Sequence, residues 1–199
     1  MKFKILLAGA LLAVSATSVM AAGPYVGVAG GISMVHDSDV KVTGYTGKAT
    51  ASYDAGVGFN LLGGYNFDGA RVEGEFGYKN ATMDKLSGSG GTVKLNDTDI
   101  TIMSYMVNGY YDFKTNSQLT PFVGAGLGII NGEIKSQGSK DSDTVFGYQI
   151  AVGAGYNVNK NVVLDLAYRF QGAASDFSKN NVSFSYNSSN LLAGIRYNF

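Results

Sequence analysis

The feature that most limits what this chain can become is an alternation of period two. Over long segments, bulky apolar residues take every second position, and the positions between are small or polar. A strand sends successive side chains to opposite faces, so the pattern specifies strands and not helices. Val57, Phe59, Leu61, Tyr65 and Phe67 alternate with Gly58, Asn60, Leu62, Gly64 and Asn66. Val72, Phe76 and Tyr78 alternate with Arg71, Glu73, Glu75, Gly77 and Lys79. Met103, Tyr105, Val107, Tyr111 and Phe113 face away from Ser104, Met106, Asn108, Tyr110 and Asp112. Similar segments are Tyr25–Val35, Val123–Ile129, Phe146–Tyr156, Val162–Phe170 and Leu191–Phe199, which brings the expected strands to eight. Beyond residue 22 no apolar run reaches the roughly 20 residues that a membrane helix needs.

Short motifs recur in the same order in the two halves. Pro24-Tyr25-Val26-Gly27 returns as Pro121-Phe122-Val123-Gly124, and Gly64-Tyr65-Asn66-Phe67 as Gly155-Tyr156-Asn157-Val158. Tyr111-Asp112-Phe113 returns as Tyr197-Asn198-Phe199. The chain therefore reads as one four-stranded unit used twice. Its connections alternate in length. Asp68-Gly69, Lys114–Leu119 and Asn159–Asn161 are short; His36–Asp54, Met83–Asp97, Asn131–Thr144 and Gly172–Asn181 are long and polar. Short turns on one rim and long loops on the other are the layout of a bacterial outer-membrane barrel.

Residues 1–22 follow another rule. Lys2 and Lys4 precede the apolar stretch Ile5–Val14, and small residues follow as far as Ala21 and Ala22. These are the parts of a secretory signal peptide. Cleavage is expected after Ala22, or alternatively after Ala21, leaving residues 23–199 as the single domain. Without Lys2 and Lys4 the chain carries 13 basic and 15 acidic side chains. That balance argues against a nucleic-acid partner. There is no Cys and one His, which excludes disulfides, thiolate sites and multi-His metal centres. No cofactor, metal site or catalytic residue is expected.

Alternation alone does not say which face meets water. Charged residues are 15% of the chain, against about 25% in soluble domains. The face opposite the bulky one is largely Gly, Ala, Asn and Ser, which suits the cramped lumen of an eight-stranded barrel. The bulky face is then left for lipid. Tyr65, Phe67, Tyr111, Phe113, Tyr156 and Phe199 gather beside the short turns, where an interfacial aromatic girdle belongs. The expected fold is all-β: an eight-stranded antiparallel up-and-down transmembrane β-barrel in the bacterial outer membrane.

The ending Leu191-Leu192-Ala193-Gly194-Ile195-Arg196-Tyr197-Asn198-Phe199 resembles the C-terminal signal of outer-membrane barrel proteins. Asn108-Gly109-Tyr110-Tyr111-Asp112-Phe113 and Pro121-Phe122-Val123-Gly124-Ala125-Gly126-Leu127-Gly128 are similar to segments of the OmpA/OmpX and opacity-protein group of surface antigens. The resemblance implies that the barrel-assembly machinery reads Ile195, Tyr197 and Phe199. It also implies a non-enzymatic surface protein, and a peptidoglycan-binding domain of the full-length OmpA kind is not expected.

Arg71, Glu73, Glu75, Lys79, Asp165, Arg169 and Arg196 fall on the small-residue face, with Asn60, Asn108 and Gln149 able to complete their hydrogen bonds. Buried ions persist when paired, so these residues are expected to form a polar interior plug. A salt-bridge gate in a narrow ion path is the alternative. His36-Asp37-Ser38-Asp39 holds the residue types of a hydrolytic triad, but a triad is a matter of geometry and not adjacency. A lipid-modifying enzyme is therefore the remote alternative. Asp37, Asp39, Asp141 and Asp143 lack the full spacing of a calcium loop. Gly124, Gly126 and Gly128 alternate along a strand with no helix behind them, unlike a phosphate-binding loop. The expected role is a rigid barrel whose four long loops serve adhesion, host or surface interaction, or envelope integrity.

Overall fold

The alternating segments become strands in the computed structural model. It describes the backbone of residues 22–42, 49–53, 55–88, 91–94, 99–136, 139–179 and 182–199, and the side chains of 22–37, 55–80, 100–133, 142–177 and 185–199. The expected leader lies outside the described residues up to position 21. Thirteen strands follow in chain order: β1 (Gly23–Val35), β2 (Ser38–Val42), β3 (Ala49–Tyr53), β4 (Gly56–Asn66), β5 (Ala70–Gly88), β6 (Gly91–Lys94) and β7 (Asp99–Asp112). Then come β8 (Leu119–Ser136), β9 (Ser139–Asn157), β10 (Val162–Ala173), β11 (Phe177–Lys179), β12 (Val182–Phe184) and β13 (Asn187–Asn198).

Eight of these form a closed antiparallel ring in the order β1, β4, β5, β7, β8, β9, β10, β13, with β13 pairing back onto β1. They are the eight strands expected from the alternation. Closure leaves no unpaired backbone edge, which hydrocarbon would not tolerate. The register fixes the tilt. A path straight across the ladders from Pro24 passes Tyr65, Val72, Gly109, Ala125, Ile150, Phe170 and Ser189 and returns to β1 at Met34, ten residues on. With 3.3 Å per residue and 4.8 Å between strands, that stagger tilts the strands by about 40°.

Side-chain direction obeys the parity read from the sequence. Val57, Leu127, Ile150 and Leu166 are more than half exposed, whereas Asn60, Glu73, Asn108 and Gln149 are almost fully buried. An apolar exterior around a polar interior is the inverse of a water-soluble barrel and requires hydrocarbon outside. At the short-turn rim the exposed rings pair: Tyr65 with Phe67 at 4.7 Å, Tyr111 with Phe113 at 5.1 Å and Tyr197 with Phe199 at 5.2 Å between centroids. The repeated motifs take equivalent places, with Tyr25 on β1 and Phe122 on β8 both turned inward and buried. Asp68 and Gly69 have φ of 63° and 118°, the left-handed pair that a tight two-residue hairpin demands.

The long connections are more ordered than their polarity suggests. The ladder of β8 and β9 continues through Asn131↔Thr144 to Ser136↔Ser139, so most of the expected third loop is strand. The outer part of β5 carries β3 on one side and β6 pairs with it as well, while β3, β2, β12 and β11 follow in one sheet. Beyond the apolar band the outer face of a ladder no longer has to be apolar. The apolar alternation then disappears while the backbone hydrogen bonds remain.

Candidate functional site

Deep in the lumen lie the cations Arg71, Lys79, Arg169 and Arg196 and the carboxylates Glu73, Glu75, Asp112 and Asp165. Near the short-turn rim Arg196 Nε donates to Asp165 Oδ2 at 2.6 Å and Nη2 to Oδ1 at 3.0 Å. Arg71 makes the same two-pronged contact with Asp112, at 2.8 and 2.9 Å. Two parallel charge-assisted bonds fix a guanidinium in position as well as neutralising it. The Arg71 guanidinium also lies 4.5 Å from the Tyr110 ring centroid and 5.1 Å from that of Phe122. Tyr25 OH donates to Glu73 Oε2 at 2.9 Å.

Glu75 is the centre of the next layer. It accepts from Asn60 at 2.7 Å, Asn108 at 3.0 Å, Gln149 at 3.3 Å and the Arg169 guanidinium. Gln149 in turn donates to Asn108 Oδ1 at 2.7 Å and accepts from Gln171 at 3.0 Å. Above this layer Lys79 Nζ donates to Gln171 Oε1 at 2.7 Å, and to Tyr186 OH and Ser188 Oγ at 3.3 Å each. Burial pushes the Tyr186 phenol up to about 12, so it stays a neutral donor and acceptor. Over Lys79 the mouth is closed by an apolar cluster of Ile100, Ile102, Ile130, Val145, Phe177 and Tyr186. Below it a cavity of about 40 Å³ touches Arg71, Glu73, Asp165, Arg169 and Arg196, with space for a few waters at most.

Glycines make room for this packing. A Cβ at Gly124 would overlap the Tyr110 ring, and one at Gly126 would overlap Asn108. All ten polar residues singled out from the sequence project into the lumen, and Asp165 is the least enclosed of them. Asp112, Tyr25, Gln171 and Tyr186 belong to the same network and were not singled out. Asp112 shares the parity of Asn108, which was the available signal. Ile195, Tyr197 and Phe199 point outward on and just beyond β13.

The described partner of His36 lies far along the chain. His36 Nε2 lies 2.8 Å from Ser189 Oγ, 153 positions away. Asp143 accepts from the backbone of Thr144 at 2.8 Å. The side chains of Ser38, Asp39 and Asp141 lie outside the described residues.

Comparison with known proteins agrees with this architecture. The family described as outer membrane protein beta-barrel domain matches residues 5–199. Outer membrane protein PagN of Salmonella typhimurium is 30% identical over 92 residues, covering 41% of this chain and 38% of PagN. RC1281 of Rickettsia conorii, named as a candidate adhesin, is 27% identical over 180 residues, covering 78% of this chain and 68% of that protein. The chain thus matches well under half the length of PagN. Among solved structures, Neisserial surface protein A superposes with a TM-score of 0.61 at 24% identity, over 89% of this chain and 97% of that one.

Proposed function

Because the chain belongs to the outer-membrane protein β-barrel domain family, we propose that it is a non-enzymatic surface protein whose recognition elements stand on the long-loop rim. It resides in the bacterial outer membrane, with its apolar wall against lipid. One observation supports the loop role above others. The segments β11, β12, β2, β3, β5 and β6 join into a single sheet on that rim, drawn from the first, second and fourth long connections. A hydrogen-bonded sheet holds its backbone in place and loses less entropy on binding than free loops do. RC1281 is named for adhesion, which fits such a surface.

The paired charges of the lumen serve as a structural plug, and the barrel-assembly machinery reads Ile195, Tyr197 and Phe199. An ion path is disfavoured because it would have to cross both the Glu75 layer and the apolar mouth. The test replaces residues 38–53, 84–98 and 174–185 by short turns and measures attachment of intact cells to host-cell and matrix surfaces. Loss of attachment with the barrel still folded is expected. Full attachment by the trimmed barrel would remove recognition from this rim.

A further inference from the structure

One polar group stands on the outer wall, apart from the network of the lumen. Ser189 Oγ lies 2.8 Å from His36 Nε2 and 2.8 Å from Tyr168 OH. The three residues come from the end of β1 and from the neighbouring strands β13 and β10. They share the parity of Met34, Leu191 and Leu166, all of which face outward. Phe170 stands beside them, its ring edge-on to His36 at 6.1 Å. Ser189 is ten positions from Phe199 along β13. At 3.3 Å per residue and a tilt of about 40°, that is roughly 25 Å along the membrane normal, the height of the apolar band. The trio therefore sits where hydrocarbon gives way to headgroups on the long-loop side.

The proton count shows what it lacks. A neutral imidazole, a serine and a tyrosine bring one N–H and two O–H protons, and the two hydrogen bonds use two of them. Whichever way the chain is oriented, one donor is left over and needs an acceptor. Alkyl chains offer no acceptor, whereas a phosphate ester offers several.

We propose that His36, Ser189 and Tyr168 seat the phosphate of an outer-leaflet lipid. This goes beyond the role of the loops and stands even if the loops bind nothing. The test is native mass spectrometry of the folded barrel, given phosphatidylglycerol, diacylglycerol of the same chains, or inorganic phosphate. Retention of one phosphatidylglycerol per barrel is expected under conditions that strip diacylglycerol. Tyr168→Phe and His36→Gln should each weaken it roughly fivefold, the worth of one ordinary hydrogen bond. Ser189→Ala should weaken it as well, because Ser189 joins the other two. A phosphorylated glycolipid retained with the same dependence on the trio supports the seat equally. Equal retention of diacylglycerol, or retention unmoved by all three substitutions, overturns it. Displacement by millimolar inorganic phosphate would show an anion site and overturn the lipid assignment. Tyr168→Phe removes a single oxygen from the outer wall, and circular dichroism checks that each variant has folded.

Discussion

Replacing Glu75 by leucine probes the lumen most sharply. Its side chain has no exposed surface and accepts four side-chain hydrogen bonds. The losses can be followed atom by atom. Asn108 keeps Glu73 at 3.3 Å, and Gln149 keeps Asn108 at 2.7 Å. Asn60 Nδ2 loses its acceptor, worth about 1 kcal/mol. Arg169 keeps Tyr110 OH at 3.4 Å but loses its carboxylate, and an orphaned buried charge costs roughly 3–5 kcal/mol. The expected destabilisation is therefore roughly 4–6 kcal/mol, beyond the range of most single substitutions. Glu75→Leu combined with Arg169→Leu removes the orphan, so the two changes should couple by about 3 kcal/mol in favour of the pair. The chain has no Trp, so urea unfolding of protein refolded into vesicles is followed by far-ultraviolet circular dichroism and by gel mobility with and without heating. A single-variant loss under about 1 kcal/mol, or strict additivity in the double variant, would refute the claim that this pair organises the interior.

Other outcomes follow from the same geometry. Gly124→Ala drives a methyl into the Tyr110 ring and should cost about 1–3 kcal/mol, whereas Gly109→Ala points into open space outside the wall and should be near neutral; paired urea titrations distinguish them. Ile150→Lys, on the outer wall between Tyr156 and Phe146, should destabilise by about 2–4 kcal/mol in vesicles, and a near-zero value would place that face away from the bilayer centre. Purified protein in a planar bilayer should give no steady conductance, because Phe177 and Tyr186 help close the mouth above Lys79; a reproducible open level would contradict that closure. Intact mass of the protein recovered from outer membranes should correspond to a chain starting at Gly23, and a retained Lys2 would rule out leader removal.

Parity was the legible part. Because side chains repeat every two residues, Asn60, Glu73, Asn108 and Arg169 could be assigned to one surface from the sequence alone. Pairing across the cylinder was not legible. Arg169 meets Glu75 across 94 positions, and Lys79 meets Gln171 across 92. Such contacts depend on the ten-residue stagger, which no local pattern encodes. Asp112 was placed on the face of Asn108 by its parity, but its partner Arg71 lies 41 positions away. The outer ladders of β5, β8 and β9 were read as loops because the apolar signal ends where the lipid does. The contact between His36 and Ser189 depends on β1 lying beside β13, a consequence of closure and not of either segment.

That first-to-last ladder also governs how the protein can be made. Until residues 187–198 have been synthesised, β1 has no partner on one side and β10 none on the other. A half-built cylinder in hydrocarbon would strand two rows of amides without acceptors, so insertion strand by strand is energetically barred. Insertion must therefore be a single cooperative event, in which both borders zip together before either is left in hydrocarbon. Truncation within the final strand should then give degradation products in the periplasm and no smaller barrel.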